Sequence, residues 1–211
     1  MSSVDFRLYL VTDRRQIAHG TLLSALAQFI AAGGSAIQLR ERDLDTRAQL
    51  DLTREIRGLI QSSGTKLLIN DRADIAAVGK TDGVHLRETS LPVPAARRIV
   101  GTDRLIGVSA HSVDGVAQAE ALGADFAVLG PIYETPSKRE YGPPLGLQVL
   151  ERACRRVRIP VFAIGGMSAS RASEVRRAGA FGLAVISYIL GASDVTAATR
   201  ALLTALDRAD G

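Results

Sequence analysis

The chain has no tryptophan and few aromatic side chains of any kind, since aromatics make up 4% of its 211 residues. We therefore expect a core of Ala, Val, Leu and Ile, which suits helices packed on a buried parallel sheet. The hydrophobic content of 46% excludes a disordered chain. Together with the length, it predicts one domain spanning residues 1–211.

Cysteine and long apolar runs are also scarce. The single cysteine, Cys154, excludes a disulfide within the chain and lies in an Arg-rich helical stretch, where we expect an inert thiol. No apolar run approaches the roughly 18 residues of a membrane span, and the N-terminus lacks a signal-peptide pattern. We therefore expect a cytoplasmic protein without a membrane partner.

Lysine is rare as well, because 23 of the 26 basic residues are arginines. They are spread at helix-like spacing, which is typical of a solvated outer face. A nucleic-acid partner would need a basic stripe with stacking aromatics, and neither is present. The net charge of +4 suits small anionic substrates. The sequence leaves the oligomeric state open, and a homo-oligomer is compatible with it.

Eight apolar runs of strand type alternate with amphipathic helical stretches, which predicts a single (β/α)8 TIM barrel. Glycines at helix ends and the candidate N-caps Thr46 and Ser168 support the boundaries. A doubly wound sheet usually has a glycine-rich first turn, whereas this chain has Thr-Asp-Arg-Arg at 12–15. The predicted strands are 8–12, 36–39, 66–69, 83–86, 105–108, 126–129, 161–164 and 182–186. The predicted helices are 21–32, 46–62, 73–78, 93–100, 113–122, 146–157, 168–178 and 196–209.

Polar residues follow these strands, and a barrel gathers the C-terminal ends of its strands on one face. Gln38 and Arg40 alternate with apolar neighbours on strand two and are expected to point inward. An inward arginine needs an anion or a paired carboxylate, so Arg40 either meets a ligand or pairs with Glu41 or Asp71. The residues expected at this face are Gln38, Arg40, Arg42, Asn70, Asp71, His85, Ser109, His111, Gly165, Gly166 and Ser187.

Two kinds of site are indicated there. The loops after strands seven and eight commonly bind phosphate, which favours such a role for Gly165-Gly166 and Val185-Ile186-Ser187. Lys138 lies in the long loop after strand six and could reach a phosphate as a point charge. Asp71 could hold Mg²⁺ or serve as a helix N-cap. His85 and His111 could transfer protons or be structural.

With these positions assembled, the chain resembles the thiamine phosphate synthase family and its sister family, the TenI-type thiazole tautomerases. Each matching segment is weak alone, but ten in this order are specific to the superfamily. The segments are Leu-Tyr-Leu-Val-Thr-Asp (8–13), Ile-Gln-Leu-Arg-Glu (37–41), Ile-Asn-Asp (69–71), Asp-Gly-Val-His-Leu (82–86), Ile-Gly-Val-Ser-Ala-His (106–111), Gly-Ala-Asp-Phe (123–126), Leu-Gly-Pro-Ile-Tyr (129–133), Thr-Pro-Ser-Lys (135–138), Ile-Gly-Gly (164–166) and Ala-Val-Ile-Ser (184–187).

The resemblance implies an enzyme that joins hydroxymethylpyrimidine diphosphate to thiazole phosphate. In that family pyrophosphate leaves first, and the thiazole nitrogen captures the pyrimidine carbocation. Arg40, Ser109 and Lys138 would then be catalytic, with His111 as a further candidate. Gln38, Asn70 and Arg40 would bind the pyrimidine diphosphate, and Arg42, Ser109 and Lys138 would contact its pyrophosphate. Asp71 would bind Mg²⁺. The thiazole phosphate would be bound by Thr135, Ser137, Gly166, Ile186 and Ser187.

Two departures from the synthase pattern bear on the metal. Ser90 stands where synthases have the second Mg²⁺ ligand, and Arg87 replaces a glycine. Arg72 also follows Asp71, where synthases often have another Asp. These arginines could substitute for the metal's charge or block the pocket, and Glu88 could ligate if its loop shifts.

The departures keep two alternatives open. TenI-type tautomerases also tend to have Arg-Glu-Arg after strand two, but the position of their catalytic histidine is Pro131 here. A tautomerase would have to draw its base from His111, His85 or Glu134. The second alternative is a non-catalytic barrel that binds thiazole phosphate.

Overall fold

The computed structural model describes residues 4–135 and 143–209, and their eight parallel strands form a closed barrel. Each strand pairs with the next, and the last pairs with the first. The strands are β1 (Leu8–Val11), β2 (Ala36–Leu39), β3 (Lys66–Asn70), β4 (Gly83–Leu86), β5 (Leu105–Ala110), β6 (Phe126–Leu129), β7 (Val161–Ile164) and β8 (Gly182–Val185). The (β/α)8 prediction is confirmed.

Helices follow the strands around the outside of the barrel. They are α1 (Leu22–Ala31), α2 (Thr46–Ile60), α3 (Ala73–Val78), α4 (Val93–Val100), α5 (Val113–Ala121), α6 (Gly146–Arg156), α7 (Ala172–Arg177), α8 (Ser187–Leu190) and α9 (Val195–Arg208). Short 3₁₀ turns occur at Arg14–Gln16 and Ala169–Arg171. Within the described parts of the chain, no helix combines the length and hydrophobicity that crossing a bilayer requires.

The helix boundaries follow from caps, and two predicted caps are wrong. Asp45, not Thr46, caps α2, because its carboxylate accepts a hydrogen bond from the Ala48 amide at 2.8 Å. Ser168 precedes a 3₁₀ turn without capping it, and its hydroxyl contacts Ser170 instead. The predicted glycine stops are confirmed, as at Gly179, where φ is +94°.

The sequence also did not indicate helix α8, which starts directly after β8. The predicted last strand ran through Ile186, but the strand ends at Val185 and Ile186 precedes the helix. Strand β5 runs to Ala110, two residues further than predicted. Ser109 is therefore held by the sheet itself.

The core has two parts of different composition. Between sheet and helices it is largely aliphatic, as expected. Inside the barrel four rings, those of Phe6, Tyr9, Phe126 and Phe162, pack with centroids 5.3–6.1 Å apart among buried Ala, Leu and Val side chains. The expectation of an Ala, Val, Leu and Ile core is therefore only partly met in this interior. Glycine makes room for the rings, since a Cβ at Gly107 would lie 2.3 Å from the Phe126 ring.

Candidate active site

A chain of buried hydrogen bonds crosses the top of the aromatic interior. The Gln38 Nε2 donates to the Tyr9 hydroxyl at 3.2 Å, which lies 3.4 Å from the His85 Nδ1. The His85 Nε2 lies 3.0 Å from the Ser109 Oγ. Strands β2, β1, β4 and β5 each contribute one member, so barrel closure brings these residues together.

The donors in this chain have one consistent order. The Tyr9 hydroxyl receives a hydrogen bond from Gln38, so its own hydrogen is left for the His85 Nδ1. A neutral imidazole then carries its hydrogen on Nε2 and donates it to the Ser109 oxygen. Burial lowers the pKa of His85 from 6.5 to about 3, which keeps the ring neutral. The Ser109 hydroxyl hydrogen therefore remains available to a ligand.

Arg40 lies half-buried at the end of β2 and lacks a side-chain partner among the residues that the structure describes. Its backbone N–H is anchored by the Thr12 hydroxyl at 2.9 Å. The alternative of an Arg40–Glu41 ion pair does not form, because the Glu41 carboxylate accepts bonds from the Arg14 backbone and guanidinium at 3.1–3.2 Å. An arginine that is half-buried without a counter-ion marks a site for an anion.

Charges on neighbouring loops act on Arg40 as well. Burial lowers the Arg40 pKa, and the positive charges of Arg42 and Arg87 lower it further, against the opposing effect of Asp13 and Glu41. Arg40 and Arg42 follow the C-terminal end of β2 and Arg87 follows that of β4, so the three arginines lie at the same face of the barrel. The His85 ring responds to the charges of both Asp71 and Arg40, which places those side chains near the buried chain.

Asp71 occupies an unusual position at the end of β3. Its φ of +62° lies in the left-handed region, and α3 starts after it with no side-chain cap, so the helix-cap alternative does not apply. The Asp71 carboxylate accepts bonds from the Arg87 backbone N–H at 3.1 Å, from the Arg87 Nε and from the Ser90 hydroxyl. Although burial opposes it, these bonds hold the Asp71 pKa below its usual range.

These donors do not fit the two-carboxylate Mg²⁺ site that the resemblance implies. Both Asp71 oxygens are engaged by donors, one of them cationic. Across residues 4–135 and 143–209, no group of three or more His, Cys, Asp or Glu side chains could hold a metal. Glu88 lies toward α5, with its Oε1 2.9 Å from where a Cβ on Gly115 would lie. Mg²⁺ at Asp71 therefore stays a prediction without support from its neighbours.

Arg72 is directed away from this carboxylate. Its guanidinium binds Asp74 at 2.6–2.9 Å and the Thr46 hydroxyl at 3.1 Å. Asn70 lies in register with His85, so its nearly buried side chain belongs to the same region. Of the predicted residues, the β2–β5 side therefore gathers Gln38, Arg40, Arg42, Asn70, Asp71 and Ser109.

A second group of predicted residues lies at the ends of β6 to β8. Gly166 has a φ of +65°, and a Cβ there would lie 2.8 Å from both the Tyr133 Cβ and the Arg171 Nη1. The Arg171 guanidinium stacks 4.1 Å above the Tyr133 ring and donates to the Gly166 carbonyl. The Tyr133 hydroxyl donates to Glu174 at 2.5 Å. Together these contacts hold the Gly165-Gly166 turn rigidly.

Helix α8 completes this side. Ile186 precedes it without a side-chain cap, so no capping side chain accepts from the N–H groups of Ser187 and Tyr188. Thr135 has a buried hydroxyl oxygen with no partner among the described residues. The predicted residues Ser137 and Lys138 lie outside the described residues. His111 donates its Nδ1–H to the Gly130 carbonyl at 2.6 Å, which ties β5 to the end of β6.

Sequence reasoning missed Tyr9 and did not predict that Arg87 pairs with Asp71. Tyr9 stands inside the apolar run Leu-Tyr-Leu-Val, where its hydroxyl is the only polar side-chain group. Cys154 is the inert thiol that was expected, since burial raises its pKa to about 11.

The comparisons with known proteins agree with this geometry. The family model described as thiamine monophosphate synthase matches residues 8–189. The chain belongs to this family. A putative thiamine-phosphate synthase of Geobacter sulfurreducens is 47% identical over 206 residues, covering 98% of this chain and 97% of the relative. The thiamine-phosphate synthase of Roseiflexus castenholzii is 41% identical, covering 92% of this chain and 86% of that one.

Solved structures place the same family on the same fold. The thiamine phosphate pyrophosphorylase from Pyrococcus furiosus superposes with a TM-score of 0.89 at 32% identity and covers 98% of each chain. A 3-hexulose-6-phosphate synthase matches at a TM-score of 0.69 with 20% identity, which shows the barrel fold alone. Synthase-family membership therefore rests on both sequence and structure.

Proposed function

We propose that this protein is a thiamine-phosphate synthase, a transferase that joins hydroxymethylpyrimidine diphosphate to thiazole phosphate and releases pyrophosphate. Family membership supports the activity. The observation that carries the reaction type is Arg40, a half-buried cation at the barrel mouth whose side chain has no ion-pair partner among the described residues. A polyanionic leaving group is the ligand that such a side chain fits.

The first step breaks the bond between the pyrimidine methylene carbon and the diphosphate oxygen. Both electrons of that bond leave with the oxygen, so negative charge grows on the diphosphate while the methylene becomes a cation. Arg40, Arg42 and the free hydrogen of Ser109 would stabilise the departing anion. Gln38 and Asn70 would bind the pyrimidine diphosphate.

The second step forms a carbon–nitrogen bond from the lone pair of the thiazole ring nitrogen. The products are thiamine phosphate and pyrophosphate, and no residue has to remove a proton. The Gly166 turn and the uncapped start of α8 would hold the thiazole phosphate through backbone N–H groups. Thr135 supplies a further hydroxyl at this side.

The contacts of the two candidate histidines do not favour the tautomerase alternative. Tautomerisation needs a proton shuttle, but burial lowers the pKa of His85 to about 3, which makes it a weak base, and both its ring nitrogens are hydrogen-bonded. His111 is bound to the Gly130 carbonyl through one ring nitrogen.

The test is to incubate the protein with both substrates and measure pyrophosphate and thiamine phosphate. We expect Arg40→Gln to lower the coupling rate about 100-fold, the usual loss when one transition-state donor is removed. Arg54→Gln is the matched control, because Arg54 is an exposed arginine on α2 whose ion pair with Asp51 lies far from the barrel mouth. Conversion of the carboxythiazole isomer without coupling, or binding of thiazole phosphate without turnover, would contradict the proposal.

A further inference from the structure

We propose that Arg87 is a diphosphate-binding catalytic residue that supplies, from the protein, the positive charge otherwise expected of a metal at Asp71. This inference rests on the proposed function, since it concerns the diphosphate of that reaction. It predicts a synthase whose coupling does not require a divalent cation.

The Asp71 carboxylate is already bound by protein donors. A carboxylate attracts Mg²⁺ through its uncompensated negative charge, but the two Asp71 oxygens face the Ser90 hydroxyl and the cationic Arg87 Nε. The Arg87 backbone N–H adds a third bond at 3.1 Å. The carboxylate thus already has a cation, and Ser90 cannot contribute the second negative charge that would attract a metal.

The terminal nitrogens of Arg87 are available to a ligand. Its Nε binds Asp71, and the two terminal nitrogens have no hydrogen-bond partner among the described residues. The Arg87 side chain is 52% exposed at the mouth, whereas that of Asp71 is 17% exposed. Asp71 therefore holds the inner edge of the guanidinium and leaves its outer edge toward the solvent. That outer edge is a planar pair of donors that matches phosphate oxygens.

Arg87 shares its face of the barrel with Arg40 and Arg42. Arg87 follows the C-terminal end of β4, and the other two follow that of β2. The positive charges of Arg87 and Arg42 also lower the pKa of Arg40, which agrees with this placement. Mutual repulsion makes such a cluster costly in the empty site, and a bound polyanion relieves it. A diphosphate carries enough negative charge to balance three cations.

The first experiment measures metal binding and is independent of turnover. Mn²⁺ is titrated into the protein, and the free ion is followed by electron paramagnetic resonance. We expect no saturable binding below about millimolar Mn²⁺ for the native chain, the weak range for a site with few charged ligands. The double variant Arg87→Gly/Ser90→Asp should bind at least tenfold more tightly. Native binding at micromolar Mn²⁺ that Asp71→Asn abolishes would overturn the proposal.

The second experiment measures coupling with Mg²⁺ and with a chelator. We expect the native rate to change less than about threefold, whereas Arg87→Gln should lose about 100-fold in the chelator. Arg87→Lys keeps the charge and should retain chelator resistance at a lower rate, and Arg54→Gln should behave as the native chain. Thermal melts confirm that each variant folds.

The two proposals fail differently. If the native chain couples in Mg²⁺ but stops in the chelator, the role of Arg87 is wrong and the synthase function stands. If no coupling occurs under either condition, the proposed function is wrong. The Mn²⁺ titration would then still decide whether Arg87 and Ser90 exclude a metal from Asp71.

Discussion

Replacing Tyr9 with phenylalanine removes one oxygen atom from the centre of the buried hydrogen-bond chain. The ring itself would stay, because it packs against Phe6 and Phe126 with centroids 5.5 and 5.6 Å away. The substitution thus separates the hydrogen bonds of Tyr9 from its packing. It tests whether the chain stabilises the barrel and orients Ser109.

The size of the expected stability loss depends on the two groups that lose a hydrogen-bond partner when the hydroxyl is removed. Gln38 is 3% exposed and His85 is 1% exposed, so water cannot readily replace the lost oxygen for either. An unsatisfied buried polar group costs about 1–3 kcal/mol. Because His85 keeps its bond to Ser109, we expect the free energy of unfolding to fall by about 2–4 kcal/mol in total.

Urea unfolding followed by circular dichroism measures this loss. Tyr188→Phe is the matched control, since it removes the same atom from a partly buried tyrosine whose hydroxyl has no partner in the described part of the chain. We expect the control to change stability by less than about 0.5 kcal/mol. A loss in Tyr9→Phe no larger than that of the control would refute the reasoning about buried bonds.

The coupling rate gives an independent readout of the same variant. Without Tyr9, the His85 tautomer is no longer set by Gln38, so the Ser109 hydroxyl can turn its hydrogen toward the imidazole instead of the ligand. We expect kcat to fall about tenfold, less than removal of a donor outright costs. An unchanged kcat in a folded variant would show that the chain is structural and does not orient Ser109.

Two further predictions concern His85 and the phosphate side. Because the folded state lowers the pKa of His85 from 6.5 to about 3, the unfolded state binds its proton first and stability falls as pH drops below 6.5. In His85→Gln, the slope of unfolding free energy between pH 6 and pH 4.5 should be shallower by about 1 kcal/mol per pH unit, measured by urea titration. An identical slope would contradict a buried neutral ring. Ser187→Glu should weaken thiazole phosphate binding at least tenfold by calorimetry, because it adds like charge at the start of α8. Ser187→Ala is its control, and equal affinities in the two variants would place the phosphate elsewhere.

The barrel could be predicted because each structural signal in the sequence is local. Buried parallel strands appear as unbroken apolar runs, and six of the eight predicted helices lie within one residue of their predicted bounds at both ends. The cap of α2 was assigned one residue late, since Asp45 and Thr46 are both good caps and only the bond to Ala48 distinguishes them. Helix α8 is too short to show a period.

The site was predictable only in part, because its pairings depend on loop conformation and on distances across the barrel. The inward direction of Gln38 followed from strand alternation. Its partner Tyr9 lies 29 residues away along the chain, and their contact requires the β1–β2 register. The Arg87–Asp71 pair depends on the turn after β4 and on the positive φ of Asp71. Neither the β1–β2 register nor the conformation of these loops can be deduced from the spacing of residues in the sequence.

The two sides of the mouth differ in how they hold an anion, and the difference matches the fates of the two phosphate groups in the proposed reaction. Arg42 is an exposed side chain on a loop, and Arg87 presents the exposed edge of a guanidinium that Asp71 holds, so both offer side-chain donors to a diphosphate that departs toward the solvent. The Gly166 turn instead presents backbone that is held in place by Arg171 and Tyr133. The thiazole phosphate keeps its bonds throughout and remains in the product, so a site of backbone groups positions its ring nitrogen without reorganisation. Exposed side-chain cations suit the group that leaves, and backbone amides suit the group that stays.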